Sequence, residues 1–180
     1  MAERIAAELI TERLRLERLD PGQEEVLQAV FRAAGDHFTT VTGRPEPDPE
    51  AARRELRSAE EVEGREVFLI RLQEGDEAVG AVGFWERHPQ PDVALLGMLL
   101  IDVSHRKRGY AREALQAVED ALRGRGIVEL RTGVGAGDVA RHAALRALGF
   151  EPLDERRHVS LDRGRVMIAL FHKQLLERDD

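Results

Sequence analysis

I-D-V-S-H-R-K-R-G-Y-A-R, residues 101–112, is an apolar strand end that runs into a short basic turn and then into the start of a helix. Backbone N–H groups at a helix start have no acceptor within the helix and lie at the positive end of its dipole, so they stabilise a nearby anion. Gly109 lets the backbone approach such an anion closely. Cationic donors surround the same turn, from the side chains of Arg106, Lys107, Arg108 and Arg112. The segment therefore predicts a phosphate-binding corner, with a solvated basic turn as the alternative interpretation.

Length and composition exclude several classes of protein. A chain of 180 residues is long enough to bury one good core, so we expect a single domain. It contains no cysteine, which excludes disulfides, thiolate metal sites and a cysteine nucleophile. The patterns G-x-x-x-x-G-K-S/T and G-x-G-x-x-G are both absent, so neither a P-loop nor a dinucleotide fingerprint explains the basic turn.

The charge balance and the hydropathy pattern bear on partners and location. The net charge is −7, from 27 Lys+Arg against 34 Asp+Glu, which argues against a general affinity for nucleic acid. No apolar run approaches the ~20 residues that span a bilayer, and the N-terminus is not typical of a secretory signal. We therefore expect a cytoplasmic protein, a monomer or homodimer, that needs no metal and binds neither nucleic acid nor membrane.

Hydrophobic periodicity predicts the order strand, two helices, three strands, helix, strand, helix, two strands. The first half comprises a strand around Leu14, a helix from Val26 to Ala34 that Gly35 ends, a loop over residues 39–49, and a helix that Asp48 caps and Pro49 begins. The second half comprises a hairpin over residues 67–85, a central strand over 93–103, a helix over 111–122, a strand over 127–134, a helix that Asp138 caps, and a hairpin around 162–164. In the helix after Asp138, inward packing is predicted for Ala140, Ala143, Ala144, Ala147 and Leu148.

Three segments of the chain resemble one known family. The pattern R-x-x-G-x-A, formed by Arg106, Gly109 and Ala111, resembles the acetyl-CoA motif Q/R-x-x-G-x-G/A of the GNAT superfamily of N-acetyltransferases. D-V-A-R-H-A-A-L-R-A-L-G-F, residues 138–150, is similar to the family's N-x-x-A-x-x-L-Y-E-K-L-G-F helix, and T-E-R-L-R-L-E-R-L, residues 11–19, resembles the first strand of the branch that acetylates ribosomal-protein N-termini. The resemblance covers residues 11–172, which leaves 1–10 as an N-terminal extension and 173–180 as a charged C-terminal tail.

The resemblance implies an α/β, single-domain GNAT-like fold, with a mixed, mostly antiparallel sheet of about seven strands flanked by about four helices. It also implies acetyl-CoA as the acetyl donor. The donor's pantetheine arm would pair with main chain near Leu100, Ile101 and Val103, and the Ile101 N–H would stabilise the oxyanion. The resemblance places the pyrophosphate over the backbone of residues 107–112, which includes Tyr110 and Ala111, and places Asp138 at the cofactor.

The chain departs from the family where proton transfer is concerned. The family's usual general acid is a tyrosine seven residues after the asparagine, and that position is Leu145 here. The only tyrosine, Tyr110, lies in the phosphate turn, where it is expected to cover the cofactor or the core. The candidate general bases are loop residues: Glu86, which is favoured, His88 and Asp92. For each of them the alternative interpretation is a solvated charge in a loop. His37 is a candidate lining residue of the acceptor pocket, and His142 is expected to be an exposed helix residue.

The expected function is transfer of an acetyl group from acetyl-CoA to a primary amine, by direct attack in a ternary complex. The acceptor is a protein N-terminus or a small-molecule amine, and the sequence leaves both open, as it does an acyl group larger than acetyl. The missing tyrosine motivates an alternative, a GNAT-like domain that binds acyl-CoA with weak or no catalysis and has a regulatory role.

Overall fold

The computed structural model describes residues 3–35, 37–38, 44–161 and 164–177. In these ranges the strands form one mixed sheet with the order β1-β2-β3-β4-β5-β6-β8-β7, and every neighbouring pair is antiparallel except β5 and β6. The eight strands are β1 Glu8–Ile10, β2 Leu14–Arg18, β3 Arg65–Leu72, β4 Ala78–Trp85, β5 Val93–Ile101, β6 Glu129–Gly135, β7 Glu151–Leu161 and β8 Gly164–Gln174. The predicted fold class is confirmed, and from β2 onward so is the predicted order of elements; β1 is an additional strand that was not predicted.

Helices cover both faces of the sheet. In the described part of the chain they are α1 Glu24–Ala33, α2 Ala51–Glu61, α3 Tyr110–Arg123 and α4 Val139–Ala147, with a 3₁₀ turn at Val103–His105. The first face is covered by α1 and α2, whose Leu27, Phe31 and Leu56 pack with Leu69 of β3. The second face is covered by α3, whose buried stripe includes Leu115 and Leu122. The sheet thus separates two apolar layers.

The long apolar run predicted at the sheet centre is confirmed as β5, which lies between β4 and β6. Gly35 and Gly149 follow α1 and α4 with φ of +64° and +91°, the left-handed backbone that ends many helices. One strand lies where an N-terminal extension was expected: β1 pairs with β2, and Ile5 before it is buried in the core.

Two predictions about helices are wrong. The second helix begins at Ala51, although Asp48 still accepts a hydrogen bond from the Glu50 N–H at 2.8 Å. In α4 the alanines do not pack inward, since all of them are exposed. The helix packs on the core through Leu148, as predicted, and through Leu145, because these larger side chains bury more apolar area than the alanines would.

Two predicted turns lie partly outside the described residues. In the loop predicted over 39–49, residues 39–43 are outside, and residues 44–49 form neither helix nor strand. In the turn predicted around 162–164, residues 162–163 are outside, and β7 and β8 flank them as expected. Across the described ranges, every helix is too short or too polar to cross a membrane.

Candidate functional site

A gap opens in the middle of the sheet between β5 and β6. The two parallel strands pair only from Val93–Leu96 to Glu129–Thr132. Beyond Leu96, β5 stays paired with β4 and β6 stays paired with β8, so the two strands separate toward their carboxyl ends. A ligand that binds there meets unpaired main chain on both sides.

Strand alternation decides which groups of β5 face this gap. The Asp102 N–H donates to the Val79 carbonyl of β4 at 2.8 Å. Since successive residues of a strand point their main-chain groups to opposite sides, Ile101 and Leu99 face the gap and Leu100 faces β4. The main chain of Ile101 therefore lies where the pantetheine arm was expected to pair. The main chain of Leu100 does not, because it faces β4, and Leu99 presents its main chain to the gap.

The basic turn after β5 presents a row of unsatisfied donors. Lys107 and Gly109 have φ of +61° and +83°, and α3 begins at Tyr110 without a side-chain cap. Within the described part of the chain, no protein acceptor pairs with the six backbone N–H groups from Lys107 to Arg112, and the first bonded amide is that of Glu113. These donors lie at the positive end of α3, so the turn fits a pyrophosphate.

The cationic side chains of the turn shape its backbone. The Arg106 guanidinium donates to the carbonyls of Ile101 at 3.1 Å and Ala34 at 2.6 Å, which ties the turn to β5 and to the end of α1. Arg108 donates to the Ser104 carbonyl at 3.3 Å, and Arg112 donates to the Ala147 carbonyl of α4. Lys107 is an exposed cation beside the donor row.

Val103 and Tyr110, which were also expected at the cofactor, both pack against other parts of the protein. Val103 lies in the 3₁₀ turn, and its side chain packs over Gly35, where a Cβ would come within 2.7 Å of it. The Tyr110 ring packs on the core and lies under the Arg13 guanidinium, 4.7 Å from the ring centroid. Tyr110 therefore contacts the β1–β2 end of the sheet, in agreement with a covering role and not with proton donation to a thiolate.

The first turn of α4 borders the gap from the other side. Asp138 caps the helix as predicted, because its Oδ1 accepts from the Arg141 N–H at 3.1 Å. Its Oδ2 lies 3.2 Å from Arg141 Nε, and Arg141 Nη2 lies 2.7 Å from Nδ1 of His37. Leu145, one turn after Arg141, is half-buried against the core. The contact between Arg141 and His37 joins α4 to the segment after α1.

A cavity of about 280 Å³ lies on the face of β5 that α1 and α2 cover. Its floor is Gly97 and Met98 of β5. The remaining lining residues are Phe31, His37, Phe38, Arg44, Asp48, Ala51, Arg54 and Glu55. Gly97 is the extra residue of a β-bulge, since Leu96 and Met98 oppose the adjacent residues Phe84 and Gly83. The predicted position of His37 at a pocket therefore agrees with the structure.

The acidic residues of the cavity are held by arginines. Asp48 Oδ2 lies 3.1 Å from Arg54 Nη2, and Glu55 Oε1 lies 2.8 Å from Arg65. The hydrogen bond from the Glu50 N–H, with that from Arg54, holds the pKa of Asp48 below its ordinary value. The cavity therefore presents, beside an aromatic wall, a carboxylate that is ionised at neutral pH and paired with Arg54.

The structure does not bring the candidate bases to the gap. Glu86 is buried and its Oε1 lies 2.7 Å from Arg125 Nε. It follows Trp85, which pairs with Leu95, so by strand rise it lies about 20 Å from the Ile101 end of β5. The ring of His88 in the same loop stacks on Trp85 at 3.5 Å, and burial lowers its pKa. The Asp92 carbonyl accepts from the Val128 N–H at 2.8 Å. These residues hold the loop to the start of β5 and β6.

Sequence reasoning missed two features of the site. A glycine inside an apolar strand, Gly97, is a signal for a bulge. Arg141 occupies the motif position where the family has alanine, which also marks it in the sequence. Among the described residues, no group of His, Asp or Glu is arranged to hold a metal ion.

Known structures resemble the whole fold. An acetyltransferase from Thermus thermophilus is 26% identical and superposes with a TM-score of 0.72, over 93% of this chain and 99% of that one. A putative ribosomal-protein-serine acetyltransferase from Vibrio cholerae is 16% identical with a TM-score of 0.76, over 96% and 99% of the two chains. A ribosomal L7/L12 α-N-protein acetyltransferase, RimL, in complex with coenzyme A is 17% identical with a TM-score of 0.71, over 96% and 98%.

Sequence comparison extends this likeness to a family. No curated protein matches the chain. The acetyltransferase (GNAT) family matches residues 27–150, a stretch that contains both sides of the gap, the basic turn and the first turn of α4. Because this match spans most of the chain, the protein belongs to the acetyltransferase (GNAT) family and is an acetyl-CoA-dependent acyltransferase.

Proposed function

We propose that the enzyme transfers the acetyl group of acetyl-CoA to a primary amine bound in the cavity of β5, by direct attack in a ternary complex. One observation carries this proposal: β5 borders both the gap and the cavity. Leu99 and Ile101 turn their main chain to the gap, while Gly97 and Met98 form the cavity floor. A donor in the gap and an amine in the cavity are thus brought to one strand, which supplies the proximity that acyl transfer needs.

The groups of β5 also suit the chemistry. Attack by a neutral amine on the thioester carbonyl forms the new C–N bond and places charge on the carbonyl oxygen; collapse of this oxyanion breaks the C–S bond and expels the thiolate, while the proton lost by the amine passes to water. The Ile101 N–H is the proposed oxyanion donor, since it faces the gap and Arg106 fixes the carbonyl of the same residue at 3.1 Å. Leu145 has no proton to give, so we propose that the leaving thiolate takes its proton from water.

The cavity and the similar structures support two acceptor classes. Its aromatic wall, with Phe31 and Phe38 ring centroids 4.8 Å apart, suits an amine with an apolar part. At about 280 Å³ the cavity has room for one or two residues or for a small molecule. The likeness to RimL, which acts on a ribosomal protein N-terminus, supports a protein N-terminus.

An amine panel tests the reaction. Purified enzyme is mixed with acetyl-CoA and, in turn, peptides with different N-terminal residues, amino acids, polyamines and aminoglycosides, and free CoA thiol is measured. The expected result is amine-dependent CoA release with acetylated product detected by mass. Tight acetyl-CoA binding without turnover on any amine would instead support the regulatory alternative.

The Gly97→Val variant tests the position of the acceptor. A Cβ at Gly97 meets only the Gly83 carbonyl, at 3.6 Å, which is an ordinary contact, and Gly97 lines the cavity, so we expect a valine side chain there to narrow it. We expect the KM for the amine to rise about tenfold while the affinity for acetyl-CoA stays unchanged. An unchanged amine KM would place the acceptor elsewhere.

A further inference from the structure

Residues of the turn between β1 and β2 bind the side chain of Glu113 at the start of α3. Thr11 Oγ1 donates to Glu113 Oε1 at 2.6 Å, and the Arg13 N–H donates to the same oxygen at 2.8 Å. The Arg13 guanidinium bonds the other oxygen, with Nε at 2.7 Å and Nη2 at 2.6 Å from Oε2. Glu113, in the first turn of α3, is thus held by two residues about 100 positions away in the chain.

The same guanidinium reaches the basic turn itself. Arg13 Nη1 donates to the Arg108 carbonyl at 2.9 Å, and the guanidinium lies over the Tyr110 ring. A Cβ at Gly109 would lie 3.3 Å from Arg13 Nη2, so the side chain packs closely against the turn. Arg13 therefore contacts three successive residues of the turn and the first turn of the helix.

These contacts act on the feature that makes the turn a phosphate site. With two residues at positive φ and no side-chain cap, the turn depends on outside contacts to keep its N–H groups aligned. The bond to the Arg108 carbonyl fixes the orientation of the adjoining peptide, whose N–H belongs to Gly109. Arg13 also neutralises Glu113, whose negative charge at the helix start would otherwise oppose a bound phosphate.

We propose that Arg13, supported by Thr11, is a positioning residue for the phosphates of the CoA donor, acting through the Arg108 carbonyl and through Glu113. This inference rests on the proposed placement of the pyrophosphate at residues 107–112. It gives the T-E-R segment at residues 11–13 a role in donor binding, although the segment lies outside the family match at 27–150. Because Arg13 lies at the turn, its loss affects the KM for acetyl-CoA and leaves kcat at saturating donor unchanged.

The test compares Arg13→Ala and Arg13→Lys with Arg15→Ala. Arg15 is a matched control, since it lies in β2 two residues after Arg13 and pairs on the sheet surface with Asp76 and, each at 3.4 Å, with Glu8 and Glu17. We expect Arg13→Ala to weaken CoA binding about tenfold by titration calorimetry, the scale of one charge-assisted hydrogen bond. Arg13→Lys is expected to restore only part of this loss, because lysine lacks the planar fork that spans Glu113 and the carbonyl. Backbone order parameters at residues 107–112 should fall in ligand-free Arg13→Ala only.

Three outcomes would contradict the account, and they separate failure of this inference from failure of the phosphate site. If Gly109→Val binds CoA less tightly while Arg13→Ala and Arg15→Ala bind it equally well, the positioning role is overturned and the phosphate site stands. If Gly109→Val also binds CoA with unchanged affinity, the placement of the pyrophosphate itself is wrong. If Arg13→Ala and Arg15→Ala lose the same thermal stability and bind CoA equally well, the positioning role is also overturned, and Arg13 forms only a structural ion pair.

Discussion

At the residue scale, the phosphate turn depends on Gly109. The residue precedes α3 with φ of +83°, and its amide lies within the row of N–H groups that have no protein acceptor in the described part of the chain. A side chain there meets two separate costs: the strain of left-handed backbone, and obstruction of the surface that a phosphate approaches. The sequence predicted this position from the R-x-x-G-x-A pattern, but it gave no sign that Arg13 lies behind it.

Gly109→Val is expected to weaken acetyl-CoA binding at least tenfold while the protein stays folded. Gly75→Val is the matched control, since Gly75 has a similar φ of +81° in a hairpin turn with nothing within 4 Å of a Cβ. Both variants should lose about 1–2 kcal/mol of unfolding free energy to backbone strain. Calorimetric titration with acetyl-CoA separates them, and equal affinities in the two variants would contradict the assignment of the turn.

The contribution of Glu113 to the stability of the fold depends on pH. Burial alone would raise the pKa of its carboxyl, but hydrogen bonds from Thr11 and from the Arg13 N–H and guanidinium outweigh it and lower the pKa below its ordinary value of 4.5. A carboxyl with a lowered folded-state pKa stabilises the fold above its unfolded pKa, and this contribution is lost as the pH falls through the folded value. We expect the stability difference between wild type and Glu113→Gln to be largest at neutral pH and to shrink below about pH 4.5. Urea unfolding at several pH values measures it, and a difference that is constant with pH would contradict this role.

At the element scale, α4 shows how a motif can be recognised while its packing is predicted wrongly. The Asp138 cap and the glycine at position 149 were readable because capping depends on local chemistry. The inward face was predicted only in part: Leu148 packs on the core as expected, together with Leu145, whereas the alanines at helical spacing lie on the exposed side. Tertiary packing decides between such faces.

Asp138→Ala is expected to destabilise the protein by about 1 kcal/mol, since it removes both the cap at the Arg141 N–H and the contact with Arg141 Nε. Asp138→Asn should retain most of this stability, because an amide oxygen also caps a helix. For a chain of this length the shift in Tm is about 2–4 °C per kcal/mol, which differential scanning calorimetry resolves. Equal Tm values for Asp138→Ala and wild type would show that the cap is not needed.

At the scale of the whole molecule, the fold follows from the order of elements, and the site follows from where two strands part. The order could be predicted because each helix or strand has its own hydrophobic periodicity and its own residues that mark where it begins and ends. The lengths over which β5 and β6 pair, the bulge at Gly97 and the contact between Arg141 and His37 were not readable, since they depend on residues far apart in sequence. For the same reason the distance of Glu86 from the gap was not predicted: it lies at the expected strand end, but that end is far from the part of β5 that borders the gap.

The central claim is that the donor lies in the gap, with its phosphates on the basic turn. Amide hydrogen exchange of the whole protein with and without CoA tests this most directly, residue by residue. We predict slower exchange at Leu99, Ile101 and residues 107–112 when CoA is present, and no change at Val93–Leu96, where β5 and β6 already pair. Protection confined to any other part of the sheet, with unchanged exchange in the turn, would contradict the account.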